Sequence, residues 1–274
     1  MSKFKFRIGA KLGLSAGIGV LLVGVMLTSE MIGSSSVASS NAAATAQRTL
    51  SQIATEMKAS ARGMMLGMRD LRLAQTAEES QKASDFLQAR KASVAKFAGD
   101  ALKLSHLPEN RERIEKIKSL ADGYASVGRD VGTAKAEIFA TTVKRQQNGD
   151  AWRKAYDAAN KAGEVSKSPK ASENERALRE VAALFDNSRT AGWRYAATGE
   201  AEQVARMTES TDKALAQVKS LGAGADDKAL AAAVDGIAPV VAEFKSIMIR
   251  YVQVNQQIAT LVRDKAQPLS LIHI

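Results

Sequence analysis

Residues 114–152 read IEKIKSLADGYASVGRDVGTAKAEIFATTVKRQQNGDAW and decide the fold class of the chain. Within this stretch, mostly apolar or small residues recur in alternating steps of three and four, which places them along one face of an α-helix. Because this line of positions, here called the seam, continues across Gly149, it predicts one long helix over 109–163. The seam positions are Ile114, Ile117, Ala121, Tyr124, Gly128, Val131, Lys135, Ile138, Thr142, Arg145, Gly149 and Trp152.

Similar spacing predicts five further helices, over about 50–75, 76–104, 172–198, 199–221 and from 228 onward. Thr76 is a suitable N-cap residue for the helix predicted over 76–104, because Glu78 and Glu79 lie in the first turn after it. The polar segment 164–175, with Pro169, is the strongest linker signal. Pro239 is expected to kink the last helix near its start, because proline cannot donate the helical hydrogen bond.

A weak internal repeat divides the chain into two halves. Residues 72–76 (RLAQT) resemble residues 194–198 (RYAAT), and each half contains a two-helix hairpin followed by a long helix. A hairpin cannot bury its apolar face alone, so each is expected to pack against parts of both long helices. The predicted fold is all-α, with two stacked four-helix bundles over 33–268 that share two long helices.

The N-terminal region predicts a membrane anchor. Residues 12–29 (LGLSAGIGVLLVGVMLTS) carry no charge, and extending them to 32 gives the length needed to cross a bilayer. The basic residues Lys3, Lys5, Arg7 and Lys11 place residues 1–11 in the cytoplasm, so the rest of the chain is exported. A cleaved signal peptide ending near Ala38 is the alternative, but the apolar run exceeds the usual ~7–15 residues of a signal core.

The opposite end of the chain carries a sequence unlike the helix before it. Residues 269–274 (LSLIHI) follow Pro268 and match one reading frame of a common sequencing-library transposon adapter. Native sequence is therefore expected to end near Pro268, ahead of a second membrane helix. The alternative is a genuine apolar C-terminus.

Composition excludes several functions. The chain has no cysteine and two isolated histidines, and it offers no Ser/His/Asp arrangement, phosphate loop or metal-ligand spacing. We therefore expect no catalytic residue, no metal and no cofactor. The formal charge of +10 comes from mixed basic and acidic residues without interleaved aromatics, which argues against nucleic acid as a partner.

The remaining candidates are polar residues in apolar helix faces. Arg145 and Arg189 lie within such faces and Arg72 lies at the edge of one, whereas Arg69 is farther round its helix. A buried guanidinium needs a carboxylate partner, from the protein or from a ligand. Asn255 and Lys135 are also seam residues, for which register control or local hydrogen bonding is the ordinary interpretation.

Helix lengths predict where these side chains meet. If each residue adds the same rise along antiparallel helices, Arg145 and Arg189 lie at one level of the bundle farther from the predicted membrane anchor. There they face each other without an acidic neighbour. The same count places Asn255 opposite Arg72 and Arg69. Two converging guanidinium groups would form a carboxylate clamp. Core packing is the ordinary interpretation of a tryptophan, but Trp193 beside Arg194 is kept as a candidate.

Residues 61–74, from Ala61-Arg62-Gly63 to Met68-Arg69-Asp70-Leu71-Arg72, and residues 189–194 resemble the helical bimodular sensor domain of bacterial chemoreceptors. The resemblance covers nearly the whole chain up to Pro268. It implies a homodimer in the bacterial inner membrane, with a periplasmic domain that binds small carboxylates, one pocket per bundle. It also implies signalling to cytoplasmic proteins through a C-terminal part that this chain lacks.

Two other interpretations of the sequence stay open. The same kind of sensor could belong to a transmembrane histidine kinase or to a cyclic-nucleotide enzyme. A purely structural helical membrane protein is a further alternative if the buried arginines are paired within the protein.

The anchor prediction can be tested by topology. A reporter fused at Asn41 should be active only outside the cytoplasm, because residues 12–32 would cross the membrane and stay attached. Recovery of a mature chain beginning near Ser39 would show that this segment is instead a cleaved signal peptide.

Overall fold

The computed structural model describes residues 37–165 and 169–271, with side chains over 44–164 and 169–269. The predicted cytoplasmic segment 1–11, the predicted membrane helix 12–32 and residues 272–274 of the predicted non-native tail lie outside the described residues. Among the helices that are described, none is both long and apolar enough to cross a membrane.

The prediction of an all-α fold is confirmed. Helices occupy nearly the whole described chain, and no strand occurs in it. The helices are α1 (Val37–Leu73), α2 (Ala77–Leu104), α3 (Pro108–Val165), α4 (Ala171–Thr198), α5 (Ala201–Gly224), α6 (Lys228–Asp235), α7 (Ile237–Thr260) and α8 (Gln267–Leu271), with a π-helical segment at Leu261–Ala266.

The long helix predicted from the seam exists as α3, unbroken across Gly149. Its buried face differs at one point, because Thr142 is exposed while Thr141 and Asn148 are buried. The predicted cap of α2 is also present, where the Thr76 hydroxyl accepts a hydrogen bond from the Glu79 amide at 3.1 Å. The predicted linker is shorter than expected, because α3 continues to Val165 and α4 begins at Ala171.

The last predicted helix requires a correction. It was expected to be one helix with a kink at Pro239, but it divides at Gly236 into α6 and α7. The physical reason is the proline itself, since its missing N–H cannot bond the carbonyl of Asp235, four residues earlier. Pro239 is instead accommodated in the first turn of α7, where an amide hydrogen is not required.

The π-helical segment Leu261–Ala266 has no counterpart in the sequence prediction. A π-turn inserts one extra residue into a helix, so side chains beyond it are rotated relative to those before it. Leu261, Val262 and Ala266 remain buried, which keeps the apolar face continuous through the insertion. The apolar pattern of the sequence therefore gave no sign of it.

The described residues form two compact units. The first comprises residues up to Ala136 and from Gln257 onward, and the second comprises Glu137–Gln256. Four helical segments contribute buried residues to each core: α1, α2, the start of α3 and the C-terminal segment in the first, and the end of α3, α4, α5 and α6–α7 in the second.

The core of the first unit has close helix contacts at two glycines. Leu87 of α2 is fully buried and approaches both Gly67 of α1 and Gly128 of α3. A Cβ atom at Gly67 would lie 2.9 Å from the Leu87 Cβ and 3.1 Å from its Cα, so the backbones could not keep this distance. Small residues at these positions therefore allow α2 to pack closely against α1 and α3.

The core of the second unit is aromatic. The Phe185 ring lies 4.2 Å from the Trp152 ring and 5.1 Å from the Phe244 ring, measured between centroids, and joins α4 to α3 and α7. A buried hydroxyl pair, Ser188 with Thr211, connects α4 to α5 at 2.5 Å.

Two glycine substitutions should have opposite effects on stability. Gly67→Ala should lower the free energy of unfolding by roughly 1–3 kcal/mol, because its methyl group would overlap Leu87. Gly99→Ala is the matched control, since nothing lies within 4 Å of an added Cβ in α2. It should raise stability by roughly 0.5–1 kcal/mol through the helix propensity of alanine. Urea denaturation measures both, and equal effects would contradict the close contact.

Candidate functional site

Arg145 is the most unusual charged residue of the second unit. It lies on the face of α3 that packs into the unit and is half-buried. Its guanidinium carbon lies 3.8 Å from the centre of the Trp193 ring of α4 and 5.8 Å from that of Tyr251 of α7. Two aromatic rings from different helices thus lie within cation–π distance of this guanidinium.

Aromatic contacts do not satisfy the hydrogen-bonding groups of Arg145. Its Nη1 atom is buried and has no hydrogen-bond partner. Burial lowers the pKa of Arg145, and the nearby Tyr251 partly offsets this effect. No carboxylate in the described chain forms an ion pair with the group. A charged donor thus faces the protein interior without an acceptor, which is an energetically costly arrangement.

Arg189, the predicted partner of Arg145, differs from the prediction in one respect. Its Nη1 atom bonds the Asp186 carboxylate at 3.3 Å, so the expected absence of an acidic neighbour is wrong. A Cβ added at Gly149 would lie 4.0 Å from the Arg189 Nη2 atom. Two side chains of α4 therefore approach the same stretch of α3, one turn apart: Trp193 lies at Arg145, and Arg189 lies near Gly149.

Trp193 and Trp152 have different roles. Trp152 is buried in the aromatic core, as expected of a tryptophan. Trp193 is 57% exposed, although its ring covers the Arg145 guanidinium. An exposed indole over a half-buried cation can move without disturbing the core, so it is suited to covering a binding site.

Asn148 is a site residue that the sequence did not indicate. It lies three positions after Arg145 on the same helix face and is buried. Its Nδ2 atom donates to the Val240 carbonyl at 2.9 Å and to Glu243 Oε2 at 3.1 Å, whereas its Oδ1 atom is buried without a partner. The only sequence signal was its spacing from Arg145, which is common between polar residues of a helix.

The other predicted residues are distributed over both units. Arg69 is exposed and binds Asp70 at 2.8 Å, and Arg72 is exposed near the end of α1. Both belong to the first unit, whereas Asn255 belongs to the second. The Asn255 side chain donates to the Tyr251 carbonyl at 2.9 Å, which agrees with local hydrogen bonding. Because Arg69 is already paired with Asp70, Arg72 is the better candidate for binding a carboxylate in the first unit.

Two polar seam residues of α3 lie in the first unit. Lys135 donates to the carbonyls of Ala74 at 2.6 Å and Arg72 at 3.3 Å, at the C-terminal end of α1, and so satisfies orphan carbonyls there. Burial lowers its pKa, and Glu79 opposes this effect. Burial raises the pKa of Tyr124 to about 12, while the positive charge of Arg72 acts in the opposite direction.

An open groove of about 750 Å³ lies elsewhere in the second unit, beside Tyr195. Its walls come from α4, α5 and α7 and include Val204 and Val252. Among the described residues that line it, the charged ones are the acids Glu209 and Asp212, which pair with lysines. The groove is therefore unsuited to an organic anion. The positive charge of Arg145 makes its surroundings the better candidate for an anion-binding site.

Comparison with known proteins gives no family assignment: no protein-family model, curated protein or solved structure matches the chain. The chemistry of the residues therefore carries the functional argument.

The raised pKa of Tyr124 predicts a pH dependence of stability. Its ordinary pKa is about 10, so the unfolded chain loses this proton before the folded chain does. The stabilisation from the neutral phenol is present below about pH 10 and is lost as the pH rises towards about 12. Tyr124→Phe should therefore lose less stability than the wild type between pH 9 and 11. Urea denaturation at both pH values tests this, and parallel losses would contradict it.

Proposed function

We propose that this chain is the extracytoplasmic ligand-sensing region of a bacterial transmembrane chemoreceptor, and that its second unit binds a small organic acid at Arg145. The observation that carries the proposal is the buried Arg145 Nη1 atom, which has no hydrogen-bond partner. A carboxylate is the group that best matches a guanidinium, in charge and in geometry.

The aromatic neighbours of Arg145 support a carboxylate ligand. The Trp193 ring lies against the guanidinium, whose N–H groups donate hydrogen bonds at its edge, in the plane of the group. A planar carboxylate can approach that edge and accept one or two of these hydrogen bonds. Arg189 adds positive charge one turn away. Its ion pair with Asp186 partly neutralises that charge and so weakens its attraction for a ligand.

The helical architecture is that expected of the proposed sensor domain. Each core draws on four helical segments, which supports a four-helix bundle in each unit. In this proposal, residues 12–32 anchor a homodimer in the inner membrane, the helical units are periplasmic, and ligand binding is signalled to cytoplasmic proteins.

A second carboxylate site in the first unit is a weaker part of the proposal. Arg72 is its main residue and Arg69 is the further candidate of that unit, whereas the predicted residue Asn255 belongs to the second unit. The positive charge of Arg72 acts to lower the pKa of Tyr124, against the larger effect of burial. Its exposure means that a ligand there would be less enclosed by protein than one at Arg145.

Binding measurements test the proposal directly. Calorimetry of the full chain in detergent against small mono- and dicarboxylates should detect binding, and Arg145→Ala should weaken it at least tenfold, because a charged hydrogen bond is lost. Arg145→Lys should only partly restore affinity, because lysine lacks the planar edge. Arg189→Ala and Arg72→Ala test the remaining candidates in the same titration.

Arg153→Ala is the matched control. Arg153 lies on the same helix, is largely exposed and pairs with Asp150, so its removal should leave every binding constant unchanged. If Arg145→Ala and Arg189→Ala also leave every binding constant unchanged, the second unit does not bind carboxylates through these residues.

A further inference from the structure

We infer that the ligand bound at Arg145 carries a hydrogen-bond donor next to its carboxylate, as 2-hydroxy acids and 2-amino acids do. The inference rests on the proposed function and adds the contribution of Asn148. Two polar atoms of the same helix face are buried without partners, the Nη1 donor of Arg145 and the Oδ1 acceptor of Asn148. A ligand that satisfies both must offer an acceptor and a donor.

The orientation of the Asn148 amide is determined by its neighbours. Its Nδ2 atom faces two acceptors, the Val240 carbonyl and the Glu243 carboxylate. Rotating the amide by half a turn would direct its oxygen towards these two oxygens and would lose both hydrogen bonds. Oδ1 is therefore the unpaired atom, and it can only accept a hydrogen bond.

The spacing of the two residues suits a small ligand. Arg145 and Asn148 are three positions apart in α3, and Cβ atoms at this spacing are roughly 5–6 Å apart. In a 2-hydroxy or 2-amino acid, the donor group sits on the carbon bonded to the carboxylate. Such a molecule can present its carboxylate to Arg145 and its donor to Asn148 at once. A plain carboxylate would leave Asn148 Oδ1 unpaired, as it is without ligand, and would not gain the free energy of this additional hydrogen bond.

The side chains around these atoms indicate how a ligand reaches them. Trp193 covers Arg145 from the exposed side of the unit, and its ring is largely in contact with solvent. Displacement of that ring would open a path to the guanidinium while α3 and α7 stay in place. The carboxylate of Glu243 bonds the Asn148 amide and adds negative charge on the donor side of the ligand. This charge favours an ammonium group there, whereas a hydroxyl satisfies only the hydrogen bond.

Three ligands of nearly equal size test the inference on the full chain. Propionate, L-lactate and L-alanine differ in the substituent at position 2, which is hydrogen, hydroxyl or ammonium. Calorimetry should show that L-lactate, L-alanine or both bind about tenfold more tightly than propionate, the ratio expected for one additional buried hydrogen bond. Tighter binding of L-alanine than L-lactate would identify the amino acid as the preferred class.

Variants connect this preference to Asn148. Asn148→Leu should reduce the affinity ratio between the preferred ligand and propionate to about one, while Gln147→Leu, at an exposed neighbouring position, should preserve it. Because Asn148→Leu also loses the bond to Val240, its helix content and melting temperature should be measured as well. The comparison of the three ligands on the wild type stays decisive if this variant fails to fold.

The outcomes separate the inference from the proposed function. If propionate binds as tightly as both other ligands and Arg145→Ala abolishes its binding, carboxylate sensing stands and the inference is overturned. If neither these three ligands nor the other carboxylates bind, both are overturned. A preference for L-lactate or L-alanine that persists in a folded Asn148→Leu variant would also overturn the assignment to Asn148.

Discussion

The structure depends on one constraint: a pair of helices cannot bury its apolar faces without further helices. The α1–α2 hairpin and the α4–α5 hairpin each have this difficulty, and α3 contributes to the solution in both cores. Its first part supplies Val131 and its neighbours to the first core, and its second part supplies Trp152 to the other. The register of α3 therefore determines which of its polar residues are buried as well.

The sequence predicts those features that depend on repeated apolar spacing. It predicts α3 as one helix because its seam runs through 39 residues without a break, from Ile114 to Trp152. Features that depend on single backbone hydrogen bonds are different. The division at Gly236 and the π-helical segment at Leu261–Ala266 leave the apolar face intact, so periodicity cannot reveal them.

The candidate site was predicted in part for the same reason. Helical spacing placed Arg145 on a buried face, and counting residues along antiparallel helices brought Arg189 to the same stretch of α3. It could not show that Arg189 turns towards Asp186, one turn earlier, because that depends on the rotamer of a long side chain. Nor could it identify Asn148, whose burial depends on hydrogen bonds to α7.

Lys135 and Arg145 show why burial of a cation alone does not indicate a ligand site. Both occupy the seam of α3, ten residues apart, and burial lowers the pKa of each. Lys135 reaches the carbonyl groups of Arg72 and Ala74, so the protein itself compensates for its lost hydration.

Arg145 lies against aromatic rings, which contribute roughly 0.5–2 kcal/mol but accept no in-plane hydrogen bond from its buried Nη1 atom. An apolar side chain would fill the same volume without leaving a buried charged donor unpaired. The difference between the two residues is therefore one of hydrogen bonding, and it separates a cation that supports the fold from one that is available to bind an anion.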